Sequence, residues 1–420
     1  MGASDEPDAS RPRRLRALYL CYLSLSDPLV HTQVVAYLAG LTARGHTVHL
    51  LTYEPRLTRA RHRELREQLR GKGIAWHHLR YHKRPSLPAT IFDALAGVVL
   101  GAGIVLRHRL DAVHCRSHVP AATGLLITRI ARRHLIFDIR GLMAEEYEDA
   151  GRWERGGAPF RITKWIEGVA IGRATGIVVL TDRMRRMLFG EAVDPRVHVI
   201  PCCADLEAIE AGAPRRREVR EQLGVGDDPL LIYVGKFSGW YMEKEMAEFF
   251  AVARQQRPGL RFLVLTQGDR EPIVAELERH AIDPSASTIT SARPQDVPGY
   301  LAAADLALCL IRPSPSKASS SPTKIGEYLG AGLPVVATAG IGDCDALLDR
   351  PGLGALLHVP IAQGALAAAA AQALALIGDD DARLACRDIA WRELSLSDRG
   401  IPAYDALYRQ VAAAEHPRRP

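Results

Sequence analysis

The sequence predicts an α/β protein built from two doubly wound parallel sheets, and three observations carry that expectation. Short apolar runs alternate with longer helical stretches almost from end to end. The alternation breaks once, around residues 201–228, and then restarts. The chain has 420 residues, more than one ordinary core accommodates. Apolar residues make up 47% and charged residues 24%, with few aromatics beside Ala, Leu and Val, so helices and buried parallel strands are the expected material.

Residues 1–14 are polar, hold two prolines and read as a disordered tail. Arg13, Arg14 and Arg16 before ALYLCYLSL imitate a signal peptide, but no small-residue cleavage site follows, so a buried first strand is the better reading. That strand is Leu18–Leu23. His31–Ala43 follows with helical spacing and ends at Gly45, and Val48–Thr52 is the next strand. Ala112–Cys115, Leu135–Ile139 and Gly176–Leu180 are further strands, each with a helix behind it, and Val197–Ile200 runs into Pro201. Pro214–Arg217 and GVGDDP form a linker. Beyond it the strands are Leu230–Val234, Phe262–Thr266, Asp305–Leu310 and Pro334–Thr338, with helices at Glu243–Gln256, Pro272–His280, Lys324–Ala331 and Ala365–Leu376. Two Rossmann-like halves result, 15–210 and 220–390. The remainder, 391–420, contains a helix at Ile401–Ala414 that packs back across the join. Ligands of open parallel sheets bind beyond the carboxyl ends of the strands, so two such halves facing a central cleft suit a donor on one wall and an acceptor on the other.

The longest apolar stretch, IFDALAGVVLGAGIVL at 91–106, includes Asp93 and falls short of the ~18 to 20 residues a spanning helix needs. Basic residues flank it: His82, Lys83 and Arg84 before, Arg107, His108 and Arg109 after. A helix packed on a sheet is the first reading, and an interfacial helix resting on lipid the second. The net charge of +6 is too small and too spread to indicate nucleic acid, and suits a phosphate-bearing ligand or an anionic membrane surface equally. Seven cysteines without a CxxC pair read as free thiols of a reducing cytoplasm, and no His/Cys spacing points to zinc.

The chemistry is concentrated in Ser319–Asp343, SSSPTKIGEYLGAGLPVVATAGIGD. Ser321 is placed to cap a helix, Pro322 to enter its first turn and Gly332 to follow its end. A polar loop thus feeds a helix N-terminus, whose amides and half-charge accept phosphate. Lys324 adds a full cation. Glu327, one turn deeper, can accept hydrogen bonds from both hydroxyls of a ribose. For any one of these residues alone, a wet helix face is the plain alternative.

This string resembles the donor-site segment of glycosyltransferase family four, the retaining enzymes of the GT-B fold. Five features recur in order: a Pro before the helix, the Glu within it, a small-x-Gly-x-Pro-Val-Val run, a small residue after the strand, and a closing Gly-Asp. LTARGHTVHLLT (41–52), DAVHCRSHVPAATG (111–124), GIVVLTDRM (176–184), VHVIPCCADLE (197–207), LIYVGKFSGWY (231–241) and PGYLAAADLALCL (298–310) agree with it at matching positions. The resemblance implies a cytoplasmic hexosyltransferase of polysaccharide biosynthesis, with no cofactor or metal and a nucleotide diphosphate sugar as co-substrate. Its acceptor would be a glycan, a lipid-linked glycan or a small molecule, with peripheral contact at the inner face of a membrane and no role for nucleic acid. The donor's diphosphate would lie between Gly235–Lys236 and Lys324, with Thr323 beside it and Glu327 on the ribose. The leaving phosphate would take the acceptor's proton.

Two departures stand out. The family's first glutamate falls eight positions before Glu327, where this chain has Ser319 as the donor-side residue. The second member of the family's basic pair falls on Tyr241, so Lys244 is the substitute. In the first half, Arg116 and His118 stand where retaining members place a His against the donor sugar. With Lys236 they are the candidate catalytic residues, and Arg140 and Glu145 are the acceptor-side ones, with Glu146 beside them. Asp343-Cys-Asp345 has the form of a metal-binding carboxylate pair but follows the donor segment, and Asp379–Asp381 reads as a solvated helix start. Two alternatives share the phosphate clamp: a sugar-nucleotide epimerase or hydrolase, and an inactive sugar-nucleotide-binding subunit.

Overall fold

A computed structural model describes residues 13–415 apart from 83, 85 and 238. The tail expected at 1–14 therefore lies outside the described residues up to position 12, as does Lys83 of the basic flank. The chain divides into two compact units.

The first unit carries a seven-stranded parallel sheet: β1 (Arg16–Cys21), β2 (Thr47–Glu54), β3 (Ile74–Arg80), β4 (Ala112–Arg116), β5 (His134–Ile139), β6 (Gly176–Val179) and β7 (Val197–Val199). Its order is β3-β2-β1-β4-β5-β6-β7. β4, β5 and β6 are buried at every residue, which is why each reads as an unbroken apolar run. The expected helix at 31–43 is divided: Pro28–Val30, a π turn at His31–Val35, then Ala36–Ala43. Such wide turns concentrate at functional sites.

The second unit carries a six-stranded parallel sheet: β8 (Leu230–Val234), β9 (Arg261–Leu265), β10 (Ser287–Thr290), β11 (Leu306–Cys309), β12 (Val335–Thr338) and β13 (Gly354–Leu357), in the order β10-β9-β8-β11-β12-β13. Successive residues of β8 feed opposite faces. Leu230 and Ile232 join a core with Tyr328 and Leu329, while Leu231 and Tyr233 join one with Phe250 and Phe262. The strands that sequence reading passes over, β3, β10 and β13, all lie at sheet edges. An edge strand is covered on fewer sides and needs no continuous apolar run.

The units are interleaved along the chain. After β6, Leu180–Gly190 belongs to the second unit, Glu191–Ile200 returns to the first, and the segment from Ile401 onward is again part of the first. The terminal helix, Ile401–Ala413, is bonded into the first unit. Tyr404 donates its hydroxyl to Asp138 at 3.0 Å, the Tyr408 hydroxyl meets His114 Nδ1 at 2.9 Å, and Asp405 pairs with His46 at 2.8 Å.

The apolar stretch folds as a 22-residue helix, Ser86–Arg107, longer than the sixteen residues read from sequence. Residues Leu87–Arg107 are long and apolar enough to cross a membrane by length and composition. The helix also packs on the fold: a Cβ at Gly97 would sit 2.0 Å from the Tyr53 hydroxyl. Asp93 is buried, accepting from Tyr22 Oη and His82 N at 3.0 Å each and meeting the His82 ring at 2.6 Å. The charge inside the apolar run is thus an internal anchor. All seven cysteines are buried, and among the described residues no disulfide joins them.

Leu407 is fully buried in the terminal helix. Leu407→Ala is expected to lower stability by about 2–5 kcal/mol, read from chemical denaturation of the full chain.

Candidate functional site

In the second sheet the strand order reverses between β8 and β11, and ligands of open parallel sheets bind at such a point. The loop after β8 opens with Gly235. The segment after β11 makes a tight turn at Pro315–Ser319 and enters the helix Thr323–Gly330. Backbone bonds hold the two together: Met242 N donates to Leu310 O at 3.1 Å and Arg312 N to Trp240 O at 2.7 Å. Tyr328, buried in the helix, accepts from Val234 N at 2.9 Å and fixes the helix to the end of β8.

Pro322 rather than Ser321 occupies the cap position, and no side chain caps the helix. Ser321 Oγ instead accepts from Cys202 N at 3.0 Å. No capping hydroxyl takes up the first-turn amides, although that of Ile325 already donates to Pro322 O at 3.1 Å. Gly332, at φ +74, ends the helix as the sequence predicts.

Lys324 lies against Gly235. A Cβ at that glycine, whose φ is +144, would sit 2.5 Å from Lys324 Cε and 2.6 Å from Nζ. The ammonium donates to the Tyr241 hydroxyl and lies 3.7 Å from the Tyr241 ring centre and 5.3 Å from that of Tyr233. Among the described residues no carboxylate forms a salt bridge with it, and its immediate neighbours are π faces and a neutral phenol. Glu327 is half-buried. Burial pushes its carboxyl above the usual range, against the pull of Lys324. Among the described residues no donor reaches its oxygens, which suits a group that receives hydroxyls from a ligand.

The other expected donor residues are placed less uniformly. Thr323 begins the helix and is half-buried. Lys236 is exposed, its carbonyl taking the Tyr233 hydroxyl at 2.6 Å. Lys244 is exposed on the first turn of Glu243–Gln256, and Tyr241 is the residue that meets Lys324. Ser319 does not line the site: it is fully buried, and Oγ donates to Ser316 O at 2.6 Å inside the tight turn. Sequence reading missed Lys317, whose ammonium lies 4.2 Å from the centre of the Trp240 ring. Nothing distinguishes that lysine in a serine-rich loop. The Asp343 carboxylate accepts from Asp182 N at 2.6 Å and Arg183 N at 3.1 Å, and that of Asp345 accepts from Gly340 N at 2.8 Å, so both serve the backbone. Asp379 caps the Asp380–Leu394 helix.

In the first sheet the order reverses between β1 and β4. Arg116 ends β4, nearly buried, with Nε lacking a partner. Ser117 follows at φ +73, a strained conformation for a residue with a Cβ. His118 does not serve as expected. Its ring is buried and meets Glu167 at 2.9 Å, and Glu167 also binds Lys164, which pairs with Glu145 at 2.9 Å. Burial would raise the Glu167 carboxyl, but His118 and Lys164 hold it low. His118 and Glu145 thus belong to one ion-pair chain between neighbouring helices. Arg140 binds Gln33 of the π turn at 2.5 Å and lies 3.6 Å from Asp138. Asp138, unremarked in the sequence because it sits inside the strand FDI, is fully buried. Burial works against its charge, yet Arg140, His114 and Arg116 bring it down to about 2.

Comparison with known proteins bears on the family and the fold. Residues 30–203 match the model of a glycosyl transferase 4-like domain, and 228–377 that of glycosyl transferases group 1. An α-D-kanosaminyltransferase of Streptomyces kanamyceticus is 28% identical over 179 residues, 41% of this chain, and the chain spans 46% of that relative's length. A glycosyltransferase from Rickettsia africae shares the fold at a TM-score of 0.71 and 16% identity, over 96% of this chain and 100% of the other. The Anabaena protein HepE, solved with UDP and glucose, does so at 0.68 and 15%, over 94% and 99%. The two sheets and their switch points define a protein of the GT-B fold. Within it, this chain belongs to glycosyltransferase family four.

Asp138 ordinarily titrates near 3.8 and in the folded chain at about 2. A depressed carboxyl stabilises above its unfolded value and loses that contribution as pH falls through the folded one. Stability should therefore fall between pH ~4 and ~2. Asp138→Asn should flatten that part of the curve, read from urea midpoints.

Proposed function

We propose that this chain transfers a sugar from a nucleotide diphosphate sugar to an acceptor glycan, lipid-linked glycan or small molecule, retaining the anomeric configuration and using no metal. The observation that carries this reading is the Lys324 ammonium, which has no carboxylate partner among the described residues and lies against Gly235 at the start of an uncapped helix. Charge builds on the departing diphosphate in the transition state. A fixed cation and amides placed before the reaction stabilise it without reorganising, and one such contact is typically worth ~3 to 4 kcal/mol of barrier. Glu327, with oxygens open to donors, holds the ribose. Lys236 reaches the same phosphates from the exposed side of the loop. Arg116 and Arg140 are the cations of the acceptor half. The solved state of HepE, with UDP and glucose, makes UDP the first nucleotide to try. The backbone duties of Asp343 and Asp345 support a metal-free reaction, because neither carboxylate is idle.

The same chain is proposed to work at the cytoplasmic face of a membrane. Leu87, Ile91, Phe92, Leu95, Val99 and Leu106 are exposed along one stripe of the Ser86–Arg107 helix. The His118–Ala131 helix packed beside it adds Leu126 and Ile130, and the Ala158–Arg173 helix packed in turn on that one adds Ile162 and Trp165. The two acids on these three helices, Asp93 and Glu167, are buried, whereas Arg107, Arg129, Arg161 and Arg173 are exposed. An apolar stripe rimmed by cations suits an interface with anionic lipid.

Lys324→Ala and Glu327→Ala should each weaken donor binding or turnover at least about tenfold, ~1.4 kcal/mol. Unchanged kinetics in both variants would refute the site. Gly235→Ala should weaken nucleotide diphosphate binding by displacing Lys324, measured by scanning fluorimetry against UDP, GDP, ADP and TDP sugars. In liposome flotation the wild type should rise with anionic vesicles and Leu95→Glu/Val99→Glu should not; absence of the wild type from lipid fractions would refute the membrane reading.

A further inference from the structure

The first unit holds a second concentration of positive charge that the donor site does not use. A concavity of about 680 Å³ opens at the carboxyl ends of β2 and β3 and at the start of the Arg59–Gly71 helix. Its lining includes five arginines: Arg56 in the loop after β2, Arg59, Arg63 and Arg66 on the helix, and Arg80 at the end of β3. His62 and His78 complete the wall.

The arginines are not balanced by the protein. The carboxylate in the lining, Glu54, is buried and committed elsewhere. It takes the Ser24 hydroxyl at 2.5 Å, Thr52 Oγ1 at 2.6 Å and Leu25 N at 2.9 Å. Among the described residues none of the five arginines forms a salt bridge. Arg61, which does, pairs with Glu64 at 2.8 Å. Positions 59, 63 and 66 share one face, with 61 and 64 round the helix from it; Glu67 stands four residues after Arg63, and among the described residues no salt bridge joins them. Like charges three and four residues apart repel. The first turn contains no acid to complement the helix dipole and instead carries Arg59 and Arg61. Cations so arranged are stabilised by an anion that the chain does not itself supply.

The walls also carry rings. The His62 and His78 rings lie 5.0 Å apart, and each stacks near the buried Trp76, at 5.3 and 5.0 Å. Pro55, Leu57 and Leu79 add apolar surface. Guanidinium forks bind carboxylate or phosphate with two parallel hydrogen bonds, and flat rings accept the apolar face of a sugar. We propose that this concavity is an acceptor subsite for an acidic saccharide, one bearing carboxylate or phosphate groups. The inference rests on the transferase reading above and narrows its acceptor.

The test is calorimetric titration of the full chain at low salt with an oligogalacturonate, with inorganic tripolyphosphate and with neutral maltotetraose. Wild type, Arg59→Gln/Arg63→Gln/Arg66→Gln and Lys324→Ala are compared. These arginines are exposed, so the triple variant should fold, which unchanged thermal unfolding confirms. The subsite predicts binding of at least one anionic probe, weakened tenfold or more in the triple variant and preserved in Lys324→Ala, with maltotetraose bound at least tenfold more weakly. The probe that responds identifies the acid as carboxylate or phosphate. Equal binding by wild type and triple variant, loss only in Lys324→Ala, or equal affinity for a random DNA duplex would overturn the subsite. Nucleotide diphosphate binding unchanged in Lys324→Ala would sink the donor site instead, so the two failures are distinguishable.

Discussion

The second unit is arranged around the approach of one ammonium to a backbone that has no side chain in the way. Lys324 reaches Gly235 because position 235 has no Cβ, and it stays there because Tyr241 accepts a hydrogen bond and two aromatic faces surround it. Tyr328 ties the helix bearing Lys324 to the end of β8, and the loop from 235 to 242 is tied to the end of β11. Lysine, glycine and helix start therefore move as one body. Under the proposed donor role, such a cation is preorganised, held in place before charge develops on the leaving phosphate.

Whether a charge finds a partner within the protein separates residues that support the fold from those proposed to meet ligand. Asp93, Asp138, Glu54 and Glu167 are buried carboxylates with bonded partners, and each fixes a loop or a helix. Glu327 is half-buried and receives no donor among the described residues, and the five arginines of the first unit meet no acid. A buried group without a partner costs folding free energy unless a ligand completes it, and that is the ground on which Glu327 is read. The five arginines are exposed and are read instead from the crowding of like charge around one concavity.

Sequence reading reached the central strands because these are covered on both faces and must be continuously apolar. It missed β3, β10 and β13 because edge strands are free of that requirement. It singles out Lys324, Glu327 and Gly235 because the string around them follows a family order. It misjudged His118 because nothing in HCRSH tells which way a ring turns at the first position of a helix. The ring turns to Glu167, 49 residues further on. Ser319 was placed in the donor site by its spacing, but its hydroxyl satisfies a carbonyl three residues back and is used up.

What the sequence determined by itself was the alternation of strands and helices, the restart near residue 220, and the helix entered through SPTK. Those depend on local periodicity and on residues close in the chain. What tertiary structure decided was which charges are paired. Arg59, Arg63 and Arg66 look in sequence like one more wet helix, and only the fold sets them beside Arg56 and Arg80 with Glu54 turned inward. Asp138 meets Tyr404 across 266 residues. Pairing is a property of distance in space, and separation along the chain carries almost no information about it.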